Sequence, residues 1–337
     1  MSVHSYAAVD YHTAGEPFRI VTPSRELPGD TVAERRANAI NDPDTQLLRR
    51  TLCHEPRGHA DMYGGFIVPA NDDGAHFGVL FWHKDGFSTA CGHGTIALGA
   101  WAVESGLVQA DPDGVTEVVI DVPSGRVKAL VRTSGGHIQD IDFVNVPSYV
   151  VALDVHIETS AGPVTVDVGF GGALYAHVNA ADLGLSVAPR DLNRIIELGR
   201  EIRDILNATE HSEHAGDDRL SGIYGAIFYE DHGGDEMTLR QTNVTVFADG
   251  QVDRSPCGSG TASRVAVLAA RGLLTDDQVL EHRSIVGSQF VARVSARVNV
   301  RGVDHVIPTV TGAAYMTGRH EFILDERDDL GPGFVLR

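Results

Sequence analysis

Short runs rich in β-branched and aromatic residues recur along the chain, several alternating apolar and polar positions with a period of two. They cover residues 66–69, 78–82, 117–122, 127–132, 164–168, 174–178, 225–229, 242–247, 290–300 and 322–324. This pattern predicts strands. Gly135-Gly136, Gly233-Gly234 and Asp249-Gly250 mark tight turns between them. Three stretches, 95–105, 190–206 and 261–271, read as helices; the second carries Leu192, Ile195, Ile196, Leu198, Ile202 and Ile205 at helical spacing. Many strands and few helices predict an α+β fold.

An internal repeat divides the chain. Residues 88–108 read STACGHGTIALGAWAVESGLV and residues 254–274 read RSPCGSGTASRVAVLAARGLL. Aligning Cys91 with Cys257 also matches Gly92/Gly258, Gly94/Gly260, Thr95/Thr261, Ala100/Ala266, Gly106/Gly272 and Leu107/Leu273, at an offset of 166 residues. A fainter echo pairs Asp10, Gly15 and Val21 with Asp167, Gly172 and Val178. The match includes a rare residue, the turn around it and the end of the following helix. It predicts two halves of related fold, 1–155 and 156–311, with about 312–337 packing back on the first.

The 337 residues include 27 Lys+Arg and 46 Asp+Glu, a net charge of −19. That charge repels phosphate backbones and anionic headgroups, which argues against nucleic-acid and membrane-surface binding. Only three cysteines occur, Cys53, Cys91 and Cys257, too few and too odd in number for a disulfide scaffold. The first residues lack a basic stretch followed by an apolar one, and no apolar run approaches the length of a membrane span, so a cytoplasmic location is expected.

In both copies Cys-Gly-x-Gly-Thr stands just before a helical segment. The glycines permit a tight turn and close approach of a ligand. The unpaired N–H groups and positive dipole end of the helix favour an anion, such as a substrate carboxylate, and favour the thiolate form of a cysteine placed there. Two such thiols suit removal of a proton from one face of a carbon and its return on the other. A cysteine nucleophile paired with His93 is the competing reading, but it needs one thiol and not two. Cys53 reads as a buried packing residue. Residues 92–99 superficially match a dinucleotide-binding loop, but the third glycine is misplaced. His211-Ser212-Glu213-His214 reads as a solvated loop, and no CxxC or HExxH spacing supports a metal site. Asp253 suits either a substrate ammonium or a turn cap.

These residues resemble the proline racemase family, which includes proline racemases, 4-hydroxyproline 2-epimerases and trans-3-hydroxy-L-proline dehydratases. The resemblance lies in 10–21 (DYHTAGEPFRIV), 55–58 (EPRG), 88–96 (STACGHGTI), 167–176 (DVGFGGALYA) and 253–261 (DRSPCGSGT). It implies two pseudo-symmetric domains of the diaminopimelate epimerase kind, each a β-barrel around a central helix, with an active site in the cleft between them. It also implies catalysis without a cofactor or metal, and usually a homodimer. By position, Cys91 and Cys257 correspond to the family's acid/base pair, and His93 and Asp253 to the residues engaging the substrate's ring nitrogen. The N–H groups of Gly92, Gly94, Gly258 and Ser259 fall where the family cradles the carboxylate. The segments 57–63, 86–91, 171–175 and 247–253 resemble the dehydratases, and Ala173 stands where epimerases more often carry Asn. The dehydratases typically carry Thr at the second catalytic position, where this chain has Cys257. A second thiol can reprotonate Cα, so the expected activity is hydroxyproline 2-epimerisation, or proline racemisation. Dehydration of trans-3-hydroxy-L-proline is the first alternative, and a non-catalytic imino-acid-binding protein the second.

Overall fold

The computed structural model describes residues 3–336. The chain divides into two compact units: Met1–Ile141 with Ala313–Arg337, and Asp142–Gly312. The first contains β1 (Val3–Thr13), β2 (Glu16–Val21), α1 (Val32–Asn41), α2 (Pro43–Cys53), β3 (Tyr63–Val68), β4 (Phe77–His83), β5 (Gly86–Phe87), α3 (Gly92–Glu104), β6 (Val115–Val122) and β7 (Gly125–Ser134). β8 (His137–Val144) carries the chain onward. The second contains β9 (Tyr149–Thr159), β10 (Gly162–Phe170), β11 (Leu174–Asn179), α4 (Leu192–Asn207), β12 (Ile223–Gly234), β13 (Thr238–Phe247), β14 (Gln251–Val252), α5 (Gly258–Ala270), β15 (Val279–Ser284), β16 (Gln289–Val300) and β17 (Val303–Gly312). β18 (Ala314–Asp325) belongs to the first unit and pairs with β1 along its whole length.

The repeat is visible in the pairing order. In the first unit β1 is antiparallel to β2, β2 parallel to β3, β3 antiparallel to β4, β4 antiparallel to β5 and parallel to β6, and β6 antiparallel to β7. In the second, β10 is antiparallel to β11, β11 parallel to β12, and β12 antiparallel to β13. β13 is in turn antiparallel to β14 and parallel to β15, and β15 is antiparallel to β16. The first division falls at Ile141/Asp142 and not near residue 155, because β9 pairs throughout with β10.

Each unit is organised around one helix. α3 packs against β1, β2, β6, β7 and β18, and α5 against β9, β10, β11, β16 and β17. Ten of thirteen residues are buried in α3 and eleven of thirteen in α5, so neither has a solvent face. Such helices belong to the interior, which explains why their glycines and alanines outnumber charged residues. The outer layers differ in chemistry. α4 is amphipathic and lays its buried Ile195, Leu198, Ile202 and Leu206 over β12 and β13.

All three helices and all ten strands read from the sequence are present, most of them longer than the pattern alone indicates. Gly233-Gly234 ends β12, and the reversal follows over residues 235–237. α1 and α2 were not expected, since their buried positions include Arg35 and Arg49, which bond the carbonyls of Pro69 (2.9 Å) and His83 (2.6 Å). Their start signals are legible all the same: Thr31 and Glu34 form a capping box, and Asp42 caps a helix with Pro43 at its first position. No helix among the described residues is long and apolar enough to cross a membrane.

Candidate active site

Cys91 is the N-cap of α3 in the first unit, with extended backbone (φ −158°, ψ 100°). That conformation turns its Sγ over the first helical turn, where it accepts the Gly94 N–H at 3.2 Å. An N–H at a positive helix end aimed at sulfur is an arrangement that holds a thiolate. Gly94 is required here. A Cβ on it would meet the Phe18 ring, and would lie 2.7 Å from Cys91 Sγ. The turn is tied down by Thr95, whose hydroxyl donates to the Cys91 carbonyl (2.8 Å), and by Thr13, which donates to the His93 carbonyl (2.9 Å).

The His93 ring nitrogens lie 3.5 and 3.6 Å from Cys91 Sγ. The ring is packed edge-on against Tyr63 (5.0 Å between centroids) and Phe18 (5.8 Å). Burial pushes its pKa down to about 3, so it works as a neutral donor and acceptor and not as a cation. Tyr63 is held in turn by a hydroxyl–hydroxyl bond to Ser88.

Cys257 occupies the corresponding position at the N-terminus of α5 with a different backbone, φ +63° and ψ 103°. A non-glycine residue at this φ is strained, and the surroundings hold it there. The Cys257 N–H donates to Ser255 Oγ (3.1 Å), while Asp253 Oδ1 accepts both the Ser255 N–H (2.8 Å) and its hydroxyl (2.7 Å). On the other side Tyr175 brings its hydroxyl 4.0 Å from Cys257 Sγ and 2.7 Å from Ser259 Oγ. Ala173, Tyr175, Ile227 and Cys257 form one buried cluster.

The electrostatics around Cys257 oppose ionisation of the thiol. Burial, and then the neighbouring Asp253 carboxylate, push the Cys257 thiol well above its ordinary value. Burial also raises Asp253, to about 6, against the bonds from Ser255 that pull it back. At rest, therefore, Cys257 is a thiol beside the Asp253 carboxylate. A ligand ammonium placed on Asp253 would remove that charge and ease loss of the Cys257 proton.

The sequence-predicted residues thus gather into two groups, Cys91 with Gly92, His93 and Gly94, and Cys257 with Asp253, Gly258 and Ser259. The Gly94 N–H is directed at sulfur, which leaves the Gly92, Gly258 and Ser259 N–H groups as candidate donors to a ligand carboxylate. Cys53 lies in the apolar core, 3.5 Å from the Met62 carbonyl, its thiol pushed up to about 12 by burial. Tyr175 and Ser255 were not read from the sequence. Both lie inside motif segments, 167–176 and 253–261, so position was the available signal. Only the fold shows that Tyr175 reaches Ser259.

The chain matches the family model described as proline racemase over residues 8–335. It is 42% identical to a trans-3-hydroxy-L-proline dehydratase of Bacillus cereus over 98% of each chain. It is 45% identical to a 3-hydroxyproline 2-epimerase of Burkholderia multivorans, over 99% of this chain and 98% of the other. The crystal structure of a hydroxyproline epimerase from Agrobacterium vitis, with bound trans-4-OH-L-proline, superposes with a TM-score of 0.90 at 32% identity. It covers 98% of this chain and 96% of that one.

Proposed function

Because this chain belongs to the proline racemase family, we propose that it inverts Cα of a hydroxyproline, with Cys91 and Cys257 as the acid/base pair. The observation that carries this reading is the presence of two buried thiols at equivalent helix N-termini. Elimination needs one proton acceptor at Cα and no returning donor there. Inversion needs two groups that can trade roles, and like residues do so with least mismatch.

In one direction the Cys91 thiolate takes the Cα proton from one face of the substrate, and the Cys257 thiol supplies a proton to the other. Charge developing on the substrate carboxylate is met by the N–H groups of Gly92, Gly258 and Ser259 and by the dipoles behind them. Asp253 takes the ring ammonium, and His93 adds a neutral hydrogen bond to it. With the ammonium in place, Asp253 no longer holds the proton on Cys257. Substrate binding therefore switches on the acid it needs.

The test is incubation with the 3- and 4-hydroxyprolines and with L-proline in D₂O. The expected result is the 2-epimer carrying deuterium at Cα. Absence of exchange with all of them would refute the proposal. The second reading, dehydration of trans-3-hydroxy-L-proline, is favoured by the similarly named Bacillus cereus relative and by the flanking segments. A ketimine product from that substrate, without epimer, decides for it.

A further inference from the structure

The two units share a fold but not an interior. In the first, the face of β4 turned to α3 carries Phe77, Val79 and Phe81, all buried. In the second, the strand in the same topological place, β13, turns Gln241, Asn243 and Thr245 to α5, equally buried. The change extends around the helix. At the 166-residue offset Ala97 and Leu98 of α3 become Ser263 and Arg264 of α5, and at the 157-residue offset of the fainter echo Ile20 of β2 becomes His177 of β11. His282 on β15 stands opposite Gln241 in register.

Much of this polarity has no partner within the protein. Gln241 Nε2, Asn243 Oδ1, His177 Nδ1, His282 Nε2 and both side-chain ends of Gln251 are buried without a hydrogen bond. Each such group is destabilising to bury unless something satisfies it. Their partnered ends define what is missing. Thr261 gives its one hydroxyl proton to the Pro256 carbonyl (2.9 Å), so His282 Nδ1 donates to Thr261 (2.8 Å) and Nε2 presents a bare lone pair. Arg264 Nε donates to Gln241 Oε1 (3.0 Å), leaving that amide's N–H₂ to donate elsewhere. Donors and acceptors alternate, and residues two apart on a strand face are separated by about 7 Å, a span that one water bridges.

We propose that the interior of the second unit binds a chain of ordered waters along Thr245, Asn243, Gln241 and His282, and that this chain exchanges protons with the Cys257 thiol. The row begins at the site, where Thr245 lies against the thiol and its carbonyl accepts the Asp253 N–H (3.0 Å). It ends at the buried Arg264, which stacks on Tyr229 (3.6 Å to the ring), and Tyr229 is itself partly exposed. Water is the ligand class that fits, since burial holds both histidines neutral and the unpartnered ends of Gln241, Asn243 and Gln251 are uncharged amides. The hydration stands by itself. Its use in catalysis rests on the function proposed above: after a turnover bulk solvent supplies a proton at Tyr229 and the chain returns one to Cys257, while Cys91 releases to solvent the proton it took from Cα.

A crystal structure of the unmodified protein at a resolution that shows ordered water should place solvent within hydrogen-bond reach of Asn243 Oδ1 and His282 Nε2. A dry interior would overturn the proposal. Proton exchange is read separately by infrared spectroscopy, as the S–H to S–D conversion of Cys257 in D₂O with Cys53→Ala and Cys91→Ser present. Asn243→Leu should slow that conversion by about tenfold or more, and Asn243→Ser should restore it. An unchanged rate in folded Asn243→Leu refutes the proton route. Because this readout needs no turnover, it holds even if Cys257→Ser leaves activity intact, the result that would instead refute the two-thiol mechanism.

Discussion

At the scale of single residues, the two cysteines are alike in sequence and unlike in setting. Each receives an N–H at a helix end, from Gly94 and Gly260, but Cys257 also sits on strained backbone beside a buried carboxylate. Cys91→Ser and Cys257→Ser should each lower kcat by about 10²–10⁴-fold, with unchanged circular dichroism. Asp253 gives a pH-dependent prediction. Its carboxyl is raised from 3.8 to about 6, so the folded state holds the proton more tightly than the unfolded state. Stability contributed by the protonated form is complete below about pH 4 and is lost as pH rises through 6. Asp253→Asn removes that loss. The variant should be more stable than the parent by on the order of 1–3 kcal/mol at pH 7, with the difference vanishing below about pH 4 in urea melts. Its activity should fall about a hundredfold or more, and the acid limb near pH 6 in kcat/KM should disappear.

Elements bring these residues to their places through close backbone approaches. Gly171, just past β10, lies so near α5 that a Cβ would meet the Ser259 carbonyl and come 2.6 Å from the Ser263 nitrogen. Both are backbone atoms and cannot rotate away. Gly171→Ala should therefore displace the first turn of α5, costing about 2–4 kcal/mol in thermal unfolding. It should also slow turnover far more than an alanine on an exposed turn. The same approach gives the segment 167–176 a physical meaning: its paired glycines admit the helix, and Tyr175 then reaches Ser259 across the contact. The α1 and α2 elements were hidden from hydrophobic periodicity because arginines fill part of their buried faces, and propensity carries no information about carbonyls far along the chain.

For the molecule as a whole, ion pairs tie distant segments together. Arg19 holds Asp10 through Nε (2.9 Å) and Nη2 (2.7 Å), bonds the carbonyls of Leu52 and Arg57 (2.7 Å each), and lies 4.2 Å from the Phe322 ring centroid. Arg19→Met would leave Asp10 without this partner, and a cost of about 3–5 kcal/mol is expected by denaturant titration. Asp167, the repeat partner of Asp10, binds Arg271 instead (2.6 Å), so the motif acidic residues serve structure while their arginine partners have diverged. The sequence alone was enough for the strand-rich α+β class, for the repeat and for the place of Cys91 and Cys257 at two helix N-termini. These signals are local: alternation, turn glycines and a motif that can be compared with itself. Tertiary structure decided the rest, namely the return of β18 to β1, the proximity of Tyr175 to Ser259, the opposed settings of the two thiols, and the polar interior of one unit against the apolar interior of the other. Each depends on which residues become neighbours and how far water is excluded, and neither quantity is carried by any single stretch of chain.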